Sequence, residues 1–338
     1  MKMKVKIVAA ILLTGGTLFA QPMRGVMSPV EPTERDFRDL KSWGATLMRY
    51  QMQAAKDSDG TTAAERIAAF DRAIAPRLDA LEKNLIPWGR KYGIKLVVDL
   101  HTPPGGRENC DLRMFHDARL AAHFVDFWRK TAQRFKGHAD VIYGYDLVNE
   151  PDQKREAKLA DYWEVQRRAA EAVRAIDPDT TILIATNGWN KPDNFSYLPP
   201  LAMDNVIYQV HVYQPMAFTH QGVLPKYRNE VTRWPDETKG WNKEWLRKLL
   251  EPVREFQQRH HAKIYVGEFS AVAWAEGADA YLRDCISLFE EYGWDWSYHA
   301  FREWPGWSVE HACAAPDKPF VPASDTSRKR ALLDGFRR

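Results

Sequence analysis

The sequence has few cysteines, no excess of charge and no hydrophobic run long enough for a comfortable membrane span. Its 338 residues include three cysteines, and none of them belongs to a pair or quartet with zinc-site spacing. The formal charge of +3 includes the initial lysines Lys2, Lys4 and Lys6, so the rest of the chain is close to neutral. Composition therefore argues against a fold stabilised by a structural zinc ion, and against a nucleic acid as the binding partner.

The first twenty residues have the pattern of a secretory signal. A basic start is followed by the apolar stretch Ile7–Phe19, and small residues lead up to Ala20. A membrane span needs about 20 apolar residues, so cleavage near Ala20 is the favoured prediction, and a retained anchor is the alternative. We expect residues 21–338 to form one domain, a secreted or periplasmic monomer that is free of the membrane after cleavage.

Apolar, β-rich runs alternate with amphipathic runs along the remaining chain. The candidate strands are Gly25–Met27, Thr46–Tyr50, Lys95–Leu100, Val141–Val148, Thr181–Thr186, Val206–Tyr213, Lys263–Glu268 and Asp295–Phe301. The helical patterns are Glu34–Trp43 (after the N-cap Thr33), Phe70–Tyr92, Leu120–Phe135, Leu159–Ile176, Lys243–His260 and Ala278–Tyr292. Near-continuous apolar strands between helices indicate a parallel sheet covered by helices. Eight such units predict an α/β protein with one closed (β/α)8 or TIM barrel, whose long loops lie on the catalytic face.

Two of the predicted strands end in a glutamate. The fourth runs into Asn149-Glu150, and the seventh into Gly267-Glu268. A carboxylate at the end of a buried strand is costly to place, and in such barrels the carboxyl ends of the strands form the active-site face. Two carboxylates at one centre are the machinery of glycoside hydrolysis. We predict Glu150 as the proton donor and Glu268 as the nucleophile. The structural alternatives are a helix cap for Glu150 and, for Glu268, a buried salt bridge to an arginine such as Arg49.

Further polar residues are predicted at the same ends of other strands. Arg49 ends the second strand, His101 follows the third, and His211 and Tyr213 end the sixth. A guanidinium there needs a carboxylate partner, and Tyr213 is placed to hydrogen-bond the nucleophile. The histidines could contact sugar hydroxyls or tune the acid, and Asn149 could bind the sugar 2-hydroxyl. One such histidine is most often structural, but the whole set on one face favours an active site.

Aromatic and cysteine side chains in the loops leave several questions open. Trp304, just beyond the eighth strand, is predicted to stack under the sugar at the cleavage point. Candidate platforms for further sugars, each with ordinary packing as the alternative, are Trp189, Trp234 and Trp307. Separated platforms favour endo cleavage, whereas tall loops favour a pocket and chain-end cleavage. An exported protein permits a disulfide between Cys110 and Cys313, which the spacing does not decide.

The set of strand-end residues resembles glycoside hydrolase family 5, the cellulase family within a clan of retaining glycosidases. The resemblance covers essentially the whole mature chain and rests on Arg49, His101, Asn149-Glu150, His211, Tyr213, Glu268 and Trp304. It implies a carbohydrate substrate, Glu150 as acid/base, Glu268 as nucleophile, retention of anomeric configuration, and no cofactor or metal. The opening Arg24–Met27 only partly matches the Arg-Gly-Val-Asn common in the family.

Several alternatives remain at this point. The resemblance favours an endo-β-glucanase and leaves open a β-mannanase or an exo-β-glucosidase of the same family. A catalytically idle carbohydrate-binding barrel would keep the fold, but the complete set of catalytic residues argues against it. A metal-dependent hydrolase could use Asp99, His101 and His211, yet the sequence has no His-x-His or His-Glu-x-x-His pair.

Overall fold

A computed structural model of the protein describes residues 21–54, 60–153 and 161–338. The predicted signal segment lies outside these residues. Eight parallel strands close into a barrel in sequential order, and the last pairs with the first. The strands are β1 Arg24–Met27, β2 Leu47–Gln51, β3 Lys95–Asp99, β4 Ile142–Asp146, β5 Thr181–Ala185, β6 Val206–Val212, β7 Lys263–Phe269 and β8 Asp295–Tyr298. The predicted (β/α)8 barrel is confirmed.

Helices cover the barrel. In the described parts of the chain they are α1 Glu34–Trp43, α2 Ala63–Ala80, α3 Ile86–Tyr92, α4 Ala118–Phe135, α5 Tyr162–Arg174, α6 Lys243–Leu249, α7 Glu251–His260, α8 Ala278–Tyr292 and α9 Ser327–Phe336. Short helical turns occupy Pro192–Tyr197, Met216–Thr219 and Pro225–Tyr227. The first turn stands in place of a helix after β5, because Pro192, Pro199 and Pro200 leave little room for a longer helix there. Within the described ranges, no helix is both long and apolar enough to cross a membrane.

The ends of the helices follow local chemistry. Helix α1 begins after Thr33, where the Asp36 carboxylate accepts a hydrogen bond from the Thr33 backbone N–H at 2.8 Å, and ends at Gly44, whose φ is 91°. The predicted helix Phe70–Tyr92 is instead two helices joined by a π-helical turn, Leu81–Leu85. The predicted helix Lys243–His260 is divided at Leu250, because Pro252 in the next turn starts a new helix more readily than it continues an old one.

The interior of the barrel changes from apolar to polar along its axis. One layer of inward side chains is apolar and buried, and it consists of Leu47, Val97, Leu183, Ile207 and Tyr265. Two residues further along β2 and β3, the inward positions hold Arg49 and Asp99, because side chains alternate between the faces of a strand. Both are fully buried. The polar layer therefore lies at the carboxyl ends of the strands.

Register brings the polar residues of neighbouring strands together. Between β6 and β7 the pairing shifts after Val210, so that His211 stands beside Glu268. On the other side of the barrel, Asp99 on β3 pairs with Asp146 on β4. The catalytic face is thus assembled from strand ends that are far apart in the sequence.

Candidate active site

Arg49 is the centre of the buried polar layer. Its Nη1 donates to Glu268 Oε1 at 2.7 Å, its Nε to Asp146 Oδ2 at 2.9 Å, and its Nη2 to Asn149 Oδ1 at 2.9 Å. The same Nη2 lies 3.2 Å from Asp99 Oδ1. A charge removed from water is stable only with such close partners. The predicted Arg49–Glu268 ion pair is present, and Arg49 also binds Asp99 on β3 and Asp146 on β4.

Glu268 is held as an anion. Its Oε2 accepts a hydrogen bond from the Tyr213 hydroxyl at 2.8 Å, as predicted, and lies 3.8 Å from His211 Nδ1. Burial by itself would raise the pKa of Glu268. Positive charge around it outweighs burial and holds that pKa well below its usual range; the groups responsible are His211, His299, Arg49 and His101. A carboxylate that stays ionised in this way is suited to nucleophilic attack.

Glu150 lies opposite Glu268, with His211 between them. Its Oε1 is 2.8 Å from His211 Nδ1, and its side chain is 19% exposed. One oxygen of Glu150, one of Glu268 and a ring nitrogen of His211 lie within 4.8 Å of one another. Carboxyl groups about 5–5.5 Å apart are typical of retaining glycosidases, whereas inverting enzymes have about 6.5–9.5 Å. The geometry is that of a retaining pair.

Gly267 explains how His211 fits against β7. A Cβ atom there would lie 2.8 Å from His211 Nε2 and 2.1 Å from Gln209 Oε1. The groups that approach Gly267 closely are these two side chains of β6. Glycine is therefore required for the imidazole to reach Glu150.

His101 and Asn149 complete one side of the site. His101 Nδ1 lies 2.8 Å from Asp99 Oδ2, and its Nε2 lies 3.4 Å from Asn149 Nδ2. Burial alone would lower the pKa of His101, but the Asp99 carboxylate outweighs it and raises the pKa. Burial raises the pKa of Asp146 to about 7 against the opposing charge of Arg49. Asp99 and Asp146 thus position the arginine and histidine, a role that the sequence analysis did not assign to them.

An aromatic wall flanks Glu268. His299 follows β8, and its ring lies edge-on to Tyr213 with centroids 6.1 Å apart. Trp307 is 6.3 Å from Tyr213, and Trp304 is 5.4 Å from Trp307. Trp304 also packs on Phe320 at 5.7 Å. The predicted platform Trp304 therefore reaches the catalytic residues through Trp307, while His299, which the sequence analysis missed, stands nearer.

Three other predictions for loop residues can be compared with the structure. Trp234 is wrong as a sugar platform, because it is 3% exposed and its indole N–H donates to Asp284 at 3.0 Å. Trp189 is partly buried and lies under the Arg107 guanidinium, 4.6 Å from the ring centroid. Cys110 and Cys313 are both free thiols, one exposed and one buried.

The arrangement also bears on the metal alternative. Among the residues described, the group of ligand atoms close enough to share an ion belongs to Glu150, His211 and Glu268. The predicted alternative set is not assembled, because His101 pairs with Asp99 while His211 pairs with Glu150. The close group is the carboxylate pair itself with its intervening imidazole.

The site has two carboxylates at the separation typical of retaining enzymes, and one of them is held as an anion. Both lie at the carboxyl ends of barrel strands. These features define a retaining glycoside hydrolase. The sequence model of the cellulase family, glycosyl hydrolase family 5, matches residues 13–303. The chain belongs to that family, and it is a glycosidase that hydrolyses O-glycosidic bonds.

Several known proteins are similar to this chain over most of their length. Endoglucanase C of Acetivibrio thermocellus is 29% identical over 306 residues, covering 79% of this chain and 83% of the relative. Cellodextrinase A of Ruminococcus flavefaciens is 23% identical over 80% of this chain and 79% of its own. The structure of endoglucanase Cel5A from the hyperthermophilic Thermotoga maritima superposes with a TM-score of 0.71 at 20% identity, covering 93% and 96% of the two chains. At that identity the last likeness shows the fold.

Proposed function

We propose that the protein is an exported endo-β-glucanase in which Glu150 is the acid/base and Glu268 the nucleophile. The observation that carries the proposal is the close placement of the two carboxylates with only Glu268 bound to a buried arginine. The likeness to endoglucanase C over most of both chains supports the substrate class. The basic and apolar first twenty residues support export.

The reaction takes place in two displacements. Glu268 attacks the anomeric carbon, the bond to the leaving sugar oxygen breaks, and Glu150 gives that oxygen its proton. Water then attacks the same carbon from the side vacated by the leaving sugar; Glu150 takes one proton from the water, and the bond to Glu268 breaks. Asn149 would bind the sugar 2-hydroxyl, with its own amide oxygen held by Arg49. His101, His211 and Tyr213 would line the sugar site, and Trp304 would support it from the β8 side.

A second mode of action has specific support. The likeness to a cellodextrinase and the long loops after β2, β3, β6 and β8 favour cleavage of short oligosaccharides or chain ends. Product size over time on defined β-glucans and a β-mannan separates these modes. Early mixed oligomers are expected for endo cleavage. A single small product from the outset would overturn the endo proposal, and the polysaccharide that reacts identifies the sugar.

Two substitutions test the catalytic roles. Glu268→Ala should lower kcat on every substrate, on the order of 10⁴-fold or more, because no glycosyl-enzyme can form. Glu150→Ala should cost about 10²- to 10⁴-fold with a poor leaving group and much less in the glycosylation step of an activated aryl glycoside, which needs little proton donation. Glu31→Ala, on the exposed loop after β1, is the control and should leave both rates unchanged. Equal losses on both leaving groups would contradict Glu150 as the acid.

A further inference from the structure

Arg107 holds the backbone on which Glu150 stands. It begins a small hairpin, Arg107–Glu108 with Asp111–Leu112, in the loop between β3 and α4. Its Nη2 donates to the carbonyl oxygens of Asn149 at 3.0 Å and Glu150 at 2.7 Å. Its Nη1 donates to the Cys110 carbonyl at 3.1 Å. One guanidinium therefore links the hairpin to Asn149 and Glu150, the two active-site residues that follow β4.

The backbone of Glu150 needs such support. Its φ is 47°, in the left-handed region, which costs a residue with a Cβ about 1–2 kcal/mol. Glutamate has no short polar side chain to offset that cost locally. Strained conformations of this kind persist where the surroundings impose them. The next carbonyl, that of Pro151, accepts a hydrogen bond from the Trp189 backbone N–H at 3.2 Å, so three successive carbonyls have fixed donors.

Arg107 also contacts the loop after β5. Its guanidinium lies 4.6 Å from the centroid of the Trp189 ring, a cation–π distance. The neighbouring Asn190 carbonyl accepts a hydrogen bond from the His211 backbone N–H at 2.8 Å. His211 in turn contacts the Glu150 carboxyl group. The backbone and the carboxyl group of Glu150 are thus fixed by one connected set of contacts.

We infer that Arg107 is a positioning residue: by clamping the Asn149 and Glu150 carbonyls it aims the Glu150 carboxyl group at the leaving sugar oxygen. The inference rests on the proposed role of Glu150 as acid/base. An arginine suits this task because its rigid, planar fork places several donors at once, whereas lysine offers one flexible ammonium group. Loss of the clamp should impair proton donation more than any other step.

The experiment compares leaving groups. For Arg107→Ala we expect kcat/KM on a β-glucan oligosaccharide to fall about 10- to 100-fold, because a misplacement near 1 Å costs that order of rate. The loss on a dinitrophenyl β-cellobioside should stay within about 3-fold, since that leaving group needs little protonation. KM should change little. Arg107→Lys should give an intermediate loss with the same preference for the activated substrate.

Arg113 provides the matched control, since it lies in the same loop and donates from Nη1 to the Gly105 carbonyl at 2.8 Å. Arg113→Ala should leave the ratio of the two rates unchanged. Equal losses on both substrates in Arg107→Ala, or no loss, would overturn the inference. If the alanine variant does not fold, the ratio measured for Arg107→Lys decides in the same way. Glu150→Ala on the same pair separates the failures: if it shows no leaving-group dependence, the proposed function itself fails.

Discussion

The two glutamates proposed as nucleophile and acid/base are held in this barrel by different means. Glu268 lies within strand β7, is 5% exposed and is bound by the Arg49 guanidinium and the Tyr213 hydroxyl. Glu150 lies beyond the end of β4, in a left-handed backbone conformation, with His211 as the side-chain partner of its carboxyl group. Charge fixes the first glutamate, and backbone geometry fixes the second.

The difference matches what each group must do. A nucleophile must stay ionised, and a buried cation network excludes its protonation. An acid/base changes its protonation state twice in each turnover, which a dense set of cations around it would prevent. Its position can still be fixed by contacts to the backbone, which Arg107 makes, while His211 is the side-chain partner described for the carboxyl group. The predictions below remove or isolate parts of the charge-based support.

The largest effect is expected at Arg49. Arg49→Met would leave Asp99, Asp146 and Glu268 buried without their cation, and breaking a buried ion pair costs about 3–5 kcal/mol. Urea unfolding should show this loss in the free energy of unfolding. Arg90→Met breaks the surface ion pair with Asp140 (2.6 Å) and should cost less than about 1 kcal/mol. Similar losses for the two variants would show that the buried network is not what stabilises this end of the barrel.

A smaller effect is expected at Tyr213. Tyr213→Phe removes one hydrogen bond to a charged group and leaves the ring, and such bonds contribute about 1.5–3 kcal/mol. We expect kcat/KM to fall about 10- to 100-fold, equally for good and poor leaving groups, because the nucleophile and not the acid is affected. Tyr50→Phe, whose hydroxyl donates to the Arg77 carbonyl at 3.2 Å on the outside of the barrel, is the control. A loss confined to poor leaving groups would contradict the assignment.

The sequence predicts the ion pairs around Glu268 better than the backbone contacts that position Glu150. Arg49 and Glu268 can be paired from sequence, because each is a charge at the end of an apolar strand and needs a partner. Asp99 and Asp146 are also charges in apolar strands, and their need for a partner predicts that they lie beside Arg49. The role of Arg107 could not be found in this way, since it depends on the path of a loop and on the left-handed φ of Glu150.

Loop residues show the same limit. Trp234 and Trp189 each lie in a loop after a strand, yet one is buried against α8 and the other lies under an arginine. The strands and most helices are predictable because their periodicity is local. The break at Leu250 is marked by Pro252, and the π-helical turn Leu81–Leu85 is likewise followed by a proline, Pro87, in the first turn of α3. Both helix boundaries therefore had a signal in the sequence.

The smallest predicted effect concerns two histidines beside the nucleophile, whose pKa values are shifted in opposite directions. Burial would lower the pKa of His299, but Glu268 and Glu303 outweigh it and raise the pKa; His299 Nε2 lies 3.2 Å from Glu303 Oε2. For His220, burial first and the charge of His299 second lower the pKa to about 4. Both rings contact Trp307, at 5.9 Å and 5.0 Å between centroids. Because the two histidines share this packing partner, a comparison of their substitutions reports on charge and not on packing.

The signs follow from linkage between protonation and folding. A raised pKa in the folded state stabilises the fold fully below the unfolded value, about 6.5 for histidine, and the stabilisation is lost as pH rises through the folded value. The stability advantage of the wild type over His299→Gln should therefore shrink as pH rises above neutrality. For His220→Gln the advantage should instead grow as pH rises from about 4 to 6.5, because the unfolded chain binds the extra proton in that range. Urea midpoints of the three proteins across pH measure both trends. Parallel curves would mean that Glu268 and Glu303 do not hold His299 protonated, and that His211, Arg49 and His101 keep Glu268 ionised without it.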